Sequence, residues 1–526
     1  MVLVLLLSVA YCHAIPRFRP LKTSPVAGVR ADLLSQCEER YRESQLDHFT
    51  WSKADAMLTF KQRYFLCTNN WNRDDDGVLG PIFFYLGNEA DVTLYLNNSG
   101  LMWESAASFN AALVFAEHRY YGQSIPFGKD VRKHMQYLSA EQALADYAEL
   151  IMDIKAAFNA SSSPVIGFGG SYGGMLAAWM RMKYPHLLDG AIAGSAPIWN
   201  FEGETPPFNP ISFSLGVTHD ASEAGGAAPA CKNNVRKSWR VLEKMGNTSQ
   251  GRAAIASATS LCKGALATPD DVIELRNWLA DAFDYMAMGN FPYPSSYILN
   301  GDGLLPAWPV QVACAKGLHH TNLTDRQLLT ALAQAAGVYY NHTGDFKCFD
   351  FRAGVNPDSD QDADFWSYQY CTEMFMPFAK DGVKDMFWEE PWDPTAVAEG
   401  CKQQWGVTPR QLWAQTEWGG RRIGAASNIA FSNGLLDPWH GGGVLDDVNA
   451  VLPAIIIPEG AHHLDLMFSH PLDPLSVIAA RKEQRRLIAT WIKAAQRDLP
   501  QGRLTKGSKK KTDRKTAQAR WKRALH

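Results

Sequence analysis

No stretch of the 526-residue sequence is apolar over the roughly 18 residues that a membrane-spanning helix requires. No close Cys/His cluster has zinc spacing, so neither a metal nor another cofactor is expected. Internal repeats are absent. Charge is scarce too, at 20% of residues with a formal net charge of −3, and it is unevenly spread. Arg503 to Arg523 holds ten Lys/Arg and one acid, Asp513; removing them leaves 41 basic against 53 acidic residues, or −12. A body of that sign is no general nucleic-acid binder. What the chain has in quantity is apolar bulk: 46% hydrophobic residues, 11% aromatic, 17 of them Trp. That balance excludes a mainly disordered or fibrous chain. The length allows about three domains, or one large domain carrying an insertion.

The short apolar run Val2–Ala10, followed by Cys12-His13-Ala14 with small residues at −3 and −1 of a cut after Ala14, reads as a signal peptide over 1–14. Residues 15–36, rich in Pro and Arg at their start, read as a linker or propeptide. Eight cysteines remain after the cut, an even number that suits disulfides in a secreted chain. Five N-x-[ST] sequons begin at Asn97, Asn159, Asn247, Asn322 and Asn341. Together these features point to a glycoprotein of the secretory route, lysosomal, vacuolar or extracellular.

Strand-like apolar runs at Pro81–Leu86, Ala112–Ala116, Pro164–Phe168 and Gly190–Ala193 alternate with helical patterns at Ala140–Phe158 and Met175–Tyr184. This alternation predicts a parallel sheet covered on both faces, first part 37–200. Over 201–420 helical patterns dominate (Val235–Met245, Pro269–Met288, Asp325–Ala336), and six of the eight cysteines lie there. The expectation is a disulfide-stapled helical cap. Strands resume at Asn428–Phe431 and Ala454–Ile457 in a second part, 421–499, with a terminal helix over Pro474–Ala495. Residues 500–526 form a basic tail expected to be disordered.

Gly169-Gly-Ser171-Tyr-Gly173 places G-x-S-x-G between a strand and a helix. In a nucleophile elbow this turn exposes the Ser, and the N–H of the next residue, Tyr172, faces the developing oxyanion. The N–H of Gly87, after the strand at 81–86, is the second expected donor. A serine needs a base, and the base an orienting acid, which α/β-hydrolases supply in the chain order Ser, Asp or Glu, His. Asp437 follows one late strand, and the pair His462-His463 follows the next. Spacing alone does not choose between the two histidines. The interval between Ser171 and Asp437 accommodates the cap, which becomes a lid.

These segments resemble the serine peptidases of family S28. The matching stretches are Gln45–Phe49, Phe83–Asp91, Val114–Gly122, Glu141–Asp146, Gly169–His186 and the Asp437 and His462 segments, within Gln45 to Arg481. The resemblance implies an α/β-hydrolase fold with a large disulfide-stapled helical cap inserted between nucleophile and catalytic acid. It implies a Ser171–Asp437–His462 triad, with the first histidine of the pair as base. It also implies the pairs Cys231–Cys314, Cys262–Cys348 and Cys371–Cys401, leaving Cys37 and Cys67 as a fourth. His118, Arg119 and Asp146 are expected to be buried hydrogen-bond partners near the elbow.

The implied reaction is exopeptidase cleavage beside proline through a Ser-His-Asp acyl-enzyme, with peptides carrying Pro near a terminus as substrates and room for a homodimer. Met175, Met376 and Trp439 match the proline-pocket positions of the family's Pro-Xaa carboxypeptidases, which favours release of a C-terminal residue after Pro. The alternative is the family's dipeptidyl mode, releasing N-terminal Xaa-Pro. That mode needs an acid for the α-ammonium, and Glu89, Asp358, Asp360 and Asp362 are available. A lipase or esterase is more remote, since no HGGG-type loop is present. One departure stands out: family members commonly carry Arg after His-His-Leu-Asp-Leu, where this chain has Met467. It leaves the pH optimum open.

Overall fold

The computed structural model describes residues 31–52, 58–73, 78–352 and 365–497. The signal peptide, most of the linker, the basic tail, and Asp358, Asp360 and Asp362 lie outside them. The chain divides into two compact units. One, the sheet unit, comprises the described residues up to Pro197 with Arg422–Leu435 and the stretch from Gly443 onward. The other, the helical unit, comprises Ile198–Arg421 and the short segment Leu436–Gly442.

The sheet unit is built on eight strands: β1 Glu38–Gln45, β2 Thr59–Cys67, β3 Ile82–Leu86, β4 Ala112–Ala116, β5 Val165–Gly170, β6 Gly190–Gly194, β7 Ile429–Gly434 and β8 Ala454–Ile457. Their order is β1-β2-β4-β3-β5-β6-β7-β8. From β4 to β8 every pairing is parallel, as the strand–helix alternation predicts. The central strands β3 to β7 are buried along their whole length, and β3 and β4 accordingly read as unbroken apolar runs, whereas β7 carries the buried polar residues Ser432 and Asn433. The purely parallel expectation fails at one edge. β2 runs antiparallel to both β1 and β4. β1 reads EERYRESQ, a charged edge strand with no apolar alternation to betray it, and such charges discourage pairing with another chain.

Two helices position the residues of the site: α1, Ala140–Ala157, and α2, Tyr172–Lys183. Ser139 caps α1 by accepting from the Gln142 N–H. The C-terminal helix, Leu475–Arg497, presents Val477, Leu487, Ile488 and Trp491 to the interior. The end of the proposed linker is already ordered, with a helical turn at Ala31–Leu34 and Leu33 buried.

The helical unit includes α3, Ser212–Asp220, and α4, Pro269–Met288, with further helices at Cys231–Gly246 and Asp325–Tyr340. α4 opens on a capping box between Thr268 and Asp271, with Pro269 in its first turn. All four expected disulfides form: Cys37–Cys67 across the β1–β2 hairpin, and Cys231–Cys314, Cys262–Cys348 and Cys371–Cys401 in the helical unit. Asn159, Asn247 and Asn322 are exposed and Asn341 half-buried. Asn97 corrects the sequence reading: its amide nitrogen is enclosed within the helix Val92–Asn98 and leaves no room for a glycan in this packing. Among the described residues, no helix is long and apolar enough to cross a membrane.

Candidate active site

Ser171 is the single residue between β5 and α2, and its backbone is strained. Its φ of 59° and ψ of −128° lie outside the regions an L-residue prefers. The ends of the turn hold it there. Ser171 N–H donates to the Gly194 carbonyl of β6 (2.9 Å), and Met175 N–H donates to the Ser171 carbonyl (3.0 Å). The flanking glycines are steric requirements. A Cβ at Gly169 would sit 2.0 Å from the Gly173 oxygen, and one at Gly173 2.8 Å from Asn88 Oδ1. Met175 is buried in the first turn of α2.

The two histidines have different surroundings. His463 packs its ring on the elbow from behind: a Cβ at Gly170 would come within 2.7 Å of His463 Cδ2. Its N–H donates to Ser195 Oγ (2.8 Å), and its backbone is left-handed at φ 39°. Burial, and next the charge of His462, hold its imidazole well below the usual histidine range. These surroundings favour the neutral form of His463. The His462 ring lies 4.5 Å from it, centroid to centroid. Glu89, in the loop after β3, is pushed up by burial, while His462 nearby works in the opposite sense. Asn88 Nδ2 donates to Glu89 Oε2 at 2.7 Å.

Gly87 is not placed to be an oxyanion donor. Its N–H donates to the Ala116 carbonyl (3.0 Å), and its own carbonyl accepts from Tyr147 Oη (2.7 Å). The sheet ladder runs one residue further than the sequence indicates, so the next N–H along the loop is that of Asn88.

Polar residues from four of the sequence motifs meet in one buried network beneath this loop. Arg119 forms a two-pronged pair with Asp146 (Nε–Oδ2 2.7 Å, Nη2–Oδ1 2.8 Å) and donates to the Leu46 carbonyl (2.7 Å). His48 Nε2 lies 2.7 Å from Asp146 Oδ1. His118 Nδ1 lies 2.7 Å from the Arg119 carbonyl, and its Nε2 lies 3.1 Å from Tyr172 Oη. His118, Arg119 and Asp146 are fully buried, in line with their expected structural role.

Asp437, Trp439 and Met376 belong to the helical unit. Asp437 is fully buried, and its Oδ1 accepts from Trp439 N–H (3.1 Å). Trp439 is held edge-on by Phe213 (5.0 Å) and Phe378 (5.5 Å), and its indole N–H donates to Met288 Sδ (3.1 Å). Met376 is buried, with its carbonyl accepting from Tyr370 Oη (2.8 Å). Phe213, Phe378 and Met288 escaped the sequence reading, since nothing in their local spacing separates them from core. So did Asp220, at the end of α3. Its Oδ2 accepts from Asn290 Nδ2 (2.9 Å), and burial, with Asp437 adding its charge, pushes its carboxyl up to about 7.

Among the described residues, no three His, Cys, Asp or Glu side chains are arranged to hold a metal ion. Residues 44–484 match the family described as serine carboxypeptidase S28. The chain is 43% identical over 458 residues to lysosomal Pro-X carboxypeptidase of Homo sapiens, covering 86% of this chain and 88% of that protein. It is 38% identical over 482 residues to prolyl carboxy peptidase like protein 5 of Caenorhabditis elegans, covering 88% and 91%. Among solved structures, a peroxisomal α/β-hydrolase of Saccharomyces cerevisiae aligns over 93% of this chain and 94% of its own, at 11% identity and a TM-score of 0.36. The strained serine between β5 and α2 thus sits in a chain whose residues 44–484 match one peptidase family, and this protein belongs to the serine carboxypeptidases of family S28.

Proposed function

We propose that this protein is a Pro-Xaa carboxypeptidase, cleaving the bond after a penultimate proline and releasing the C-terminal residue. The likeness to lysosomal Pro-X carboxypeptidase carries the choice of reaction. Ser171 is the nucleophile, as its elbow geometry supports. His462 takes the Ser171 proton and returns it to the leaving amine, while Asp437 sets the imidazole's tautomer. The packing of His463 against Gly170 supports this choice of base. As Ser171 Oγ bonds to the proline carbonyl carbon, negative charge builds on the carbonyl oxygen, and the N–H groups of Tyr172 and Asn88 receive it. Water, deprotonated by His462, then splits the acyl-enzyme.

Met175, Met376 and Trp439 form the proline-binding walls in this reading. Met and Trp offer flexible and flat apolar surface suited to a pyrrolidine ring. Four disulfides and three exposed sequons support passage through the secretory route, with the lysosome as destination.

The deciding experiment offers an N-blocked Xaa-Pro-Xaa peptide and a free-amine Xaa-Pro amide at several pH values. Cleavage of the first after Pro is expected. Exclusive cleavage of the second would move the assignment to the dipeptidyl mode, with Glu89 as the described acid available for the ammonium.

A further inference from the structure

The residues directly behind the two oxyanion donors are polar where packing alone would be satisfied by apolar side chains. Tyr172, which follows the nucleophile, is 1% exposed, and His118 and Tyr147 are completely buried. The His118 ring stands tilted to that of Tyr172 (5.5 Å) and edge-on to that of Tyr147 (6.4 Å). Burial lowers the His118 imidazole to about 4, which favours the neutral ring above that pH. A neutral ring has one N–H. The Arg119 carbonyl can only accept, which places that proton on Nδ1 and leaves Nε2 to accept from the Tyr172 hydroxyl.

Tyr147 does the equivalent on the other side. Its hydroxyl donates to the Gly87 carbonyl, while the Gly87 N–H is fixed on Ala116. Both polar groups of the residue preceding Asn88 are thereby tethered. The two braces are themselves joined. His118 is bonded in sequence to Arg119, and Tyr147 to Asp146, and the Arg119–Asp146 pair closes with two charge-assisted hydrogen bonds.

We infer that His118 and Tyr147 are positioning residues for the oxyanion hole, His118 acting through the Tyr172 hydroxyl and Tyr147 through the Gly87 carbonyl, so that the N–H groups of Tyr172 and Asn88 stay aimed at one point. Neither side chain touches substrate. Their effect is on the transition state, where the oxygen gains charge and donor placement matters most.

The inference rests on Ser171 as nucleophile, and the test separates the two. Tyr172→Phe deletes only the hydroxyl, keeping the ring; His118→Leu removes its acceptor; Tyr147→Phe releases the Gly87 carbonyl. Each is measured for kcat and KM on an N-blocked Xaa-Pro-Xaa peptide. Each is also measured for binding of two ligands: a peptidyl-proline boronic acid, whose adduct places an oxygen in the hole, and the N-blocked Xaa-Pro product, which does not. Misplacement by about 1 Å costs on the order of 100-fold and a smaller shift less, so a loss of about 10–100-fold is expected. Tyr172→Phe should therefore lower kcat and boronate affinity by about that factor, with KM and product affinity changed less than about twofold. The double variant His118→Leu/Tyr172→Phe should be no worse than the more damaging single change, because both break one bond.

Three results overturn the inference: Tyr172→Phe with wild-type kcat, equal loss of affinity for boronate and product, or additive losses in the double variant. A fully active Ser171→Ala enzyme would overturn the nucleophile assignment and this inference together. An inactive Ser171→Ala beside an unaffected Tyr172→Phe overturns this one alone.

Discussion

His463 rests its imidazole on the backbone of Gly170, the residue before Ser171, closely enough that a Cβ at Gly170 would meet its Cδ2 at 2.7 Å. A ring wedged there supports the elbow from behind. His462→Ala should then remove the base, and kcat/KM should fall by about four to six orders of magnitude, as for loss of a triad member. His463→Ala should keep most of kcat yet unfold at lower temperature, since it leaves a hole beneath a strained turn. Steady-state kinetics and thermal unfolding of both variants decide the matter. If activity is lost with His463 and survives without His462, the base is the other histidine.

Ser171→Ala should abolish peptidase activity and labelling by an organophosphonate, leaving about the 10³-fold advantage over water that binding and oxyanion contacts supply alone. The fold should be unchanged, because the hydrogen bonds that hold residue 171 use only its N–H and carbonyl. Far-UV circular dichroism and the melting temperature check this. More than a few per cent of residual activity would discard the elbow assignment.

The parts of this fold legible in the sequence were those in which one physical demand dominates. Ile82–Leu86 is buried on both faces, and it reads as five apolar residues in a row. Glu38–Gln45 is an edge strand held by ladder hydrogen bonds, and its side chains carry no record of that pairing. Gly87 departs from expectation for a related reason. A motif gives the loop in which a donor lies, but whether one more residue joins the ladder depends on the register between β3 and β4. Trp439 is singled out by the family resemblance, which matches it to a proline-pocket position. Phe213, Phe378 and Met288, which hold it, come from three distant segments and are visible only once the chain is folded.

The buried pair between His48 and Asp146 gives stability a definite pH dependence. For His48, burial acts to lower the imidazole, but hydrogen bonds to Asp146 and Glu149 outweigh it and the net shift is upward, with Arg119 opposing. A raised histidine contributes stability that is fully present below its unfolded value of about 6.5 and lost as pH rises through the higher folded value. His48→Gln should therefore destabilise the protein most at pH 5, by about 1.5–3 kcal/mol, the range for a hydrogen bond to a charged group. The gap from wild type should narrow toward pH 8, where a neutral His48 still reaches Asp146. Denaturant unfolding across that range measures it. A gap that widens with pH would mean the imidazole is neutral in the folded protein throughout.

The proposed proline pocket is tested by substitutions in the helical unit. Trp439 is clamped by two aromatic edges and by the Met288 sulfur, so its indole has one fixed plane. Met376 lies two residues before Phe378, one of those clamps, and is itself only 2% exposed. In the proposed pocket Trp439 is a flat wall and Met376 a flexible one, and one methylene gained or lost in such a pocket is worth about 1–3 kcal/mol. Met376→Ala should lower kcat/KM for Pro substrates by roughly 10–200-fold on that scale and relax discrimination against Ala at the same site. Removing a buried Met also costs about 2–5 kcal/mol of stability, so assays belong well below the melting temperature, normalised by organophosphonate titration of Ser171. Met288→Ala supplies the comparison. It frees the indole without altering Met376, and should weaken Pro substrates through KM more than through kcat. An unchanged Pro/Ala preference in Met376→Ala would make that residue core packing, and the carboxypeptidase reading would then rest on overall sequence likeness without a residue of the pocket behind it.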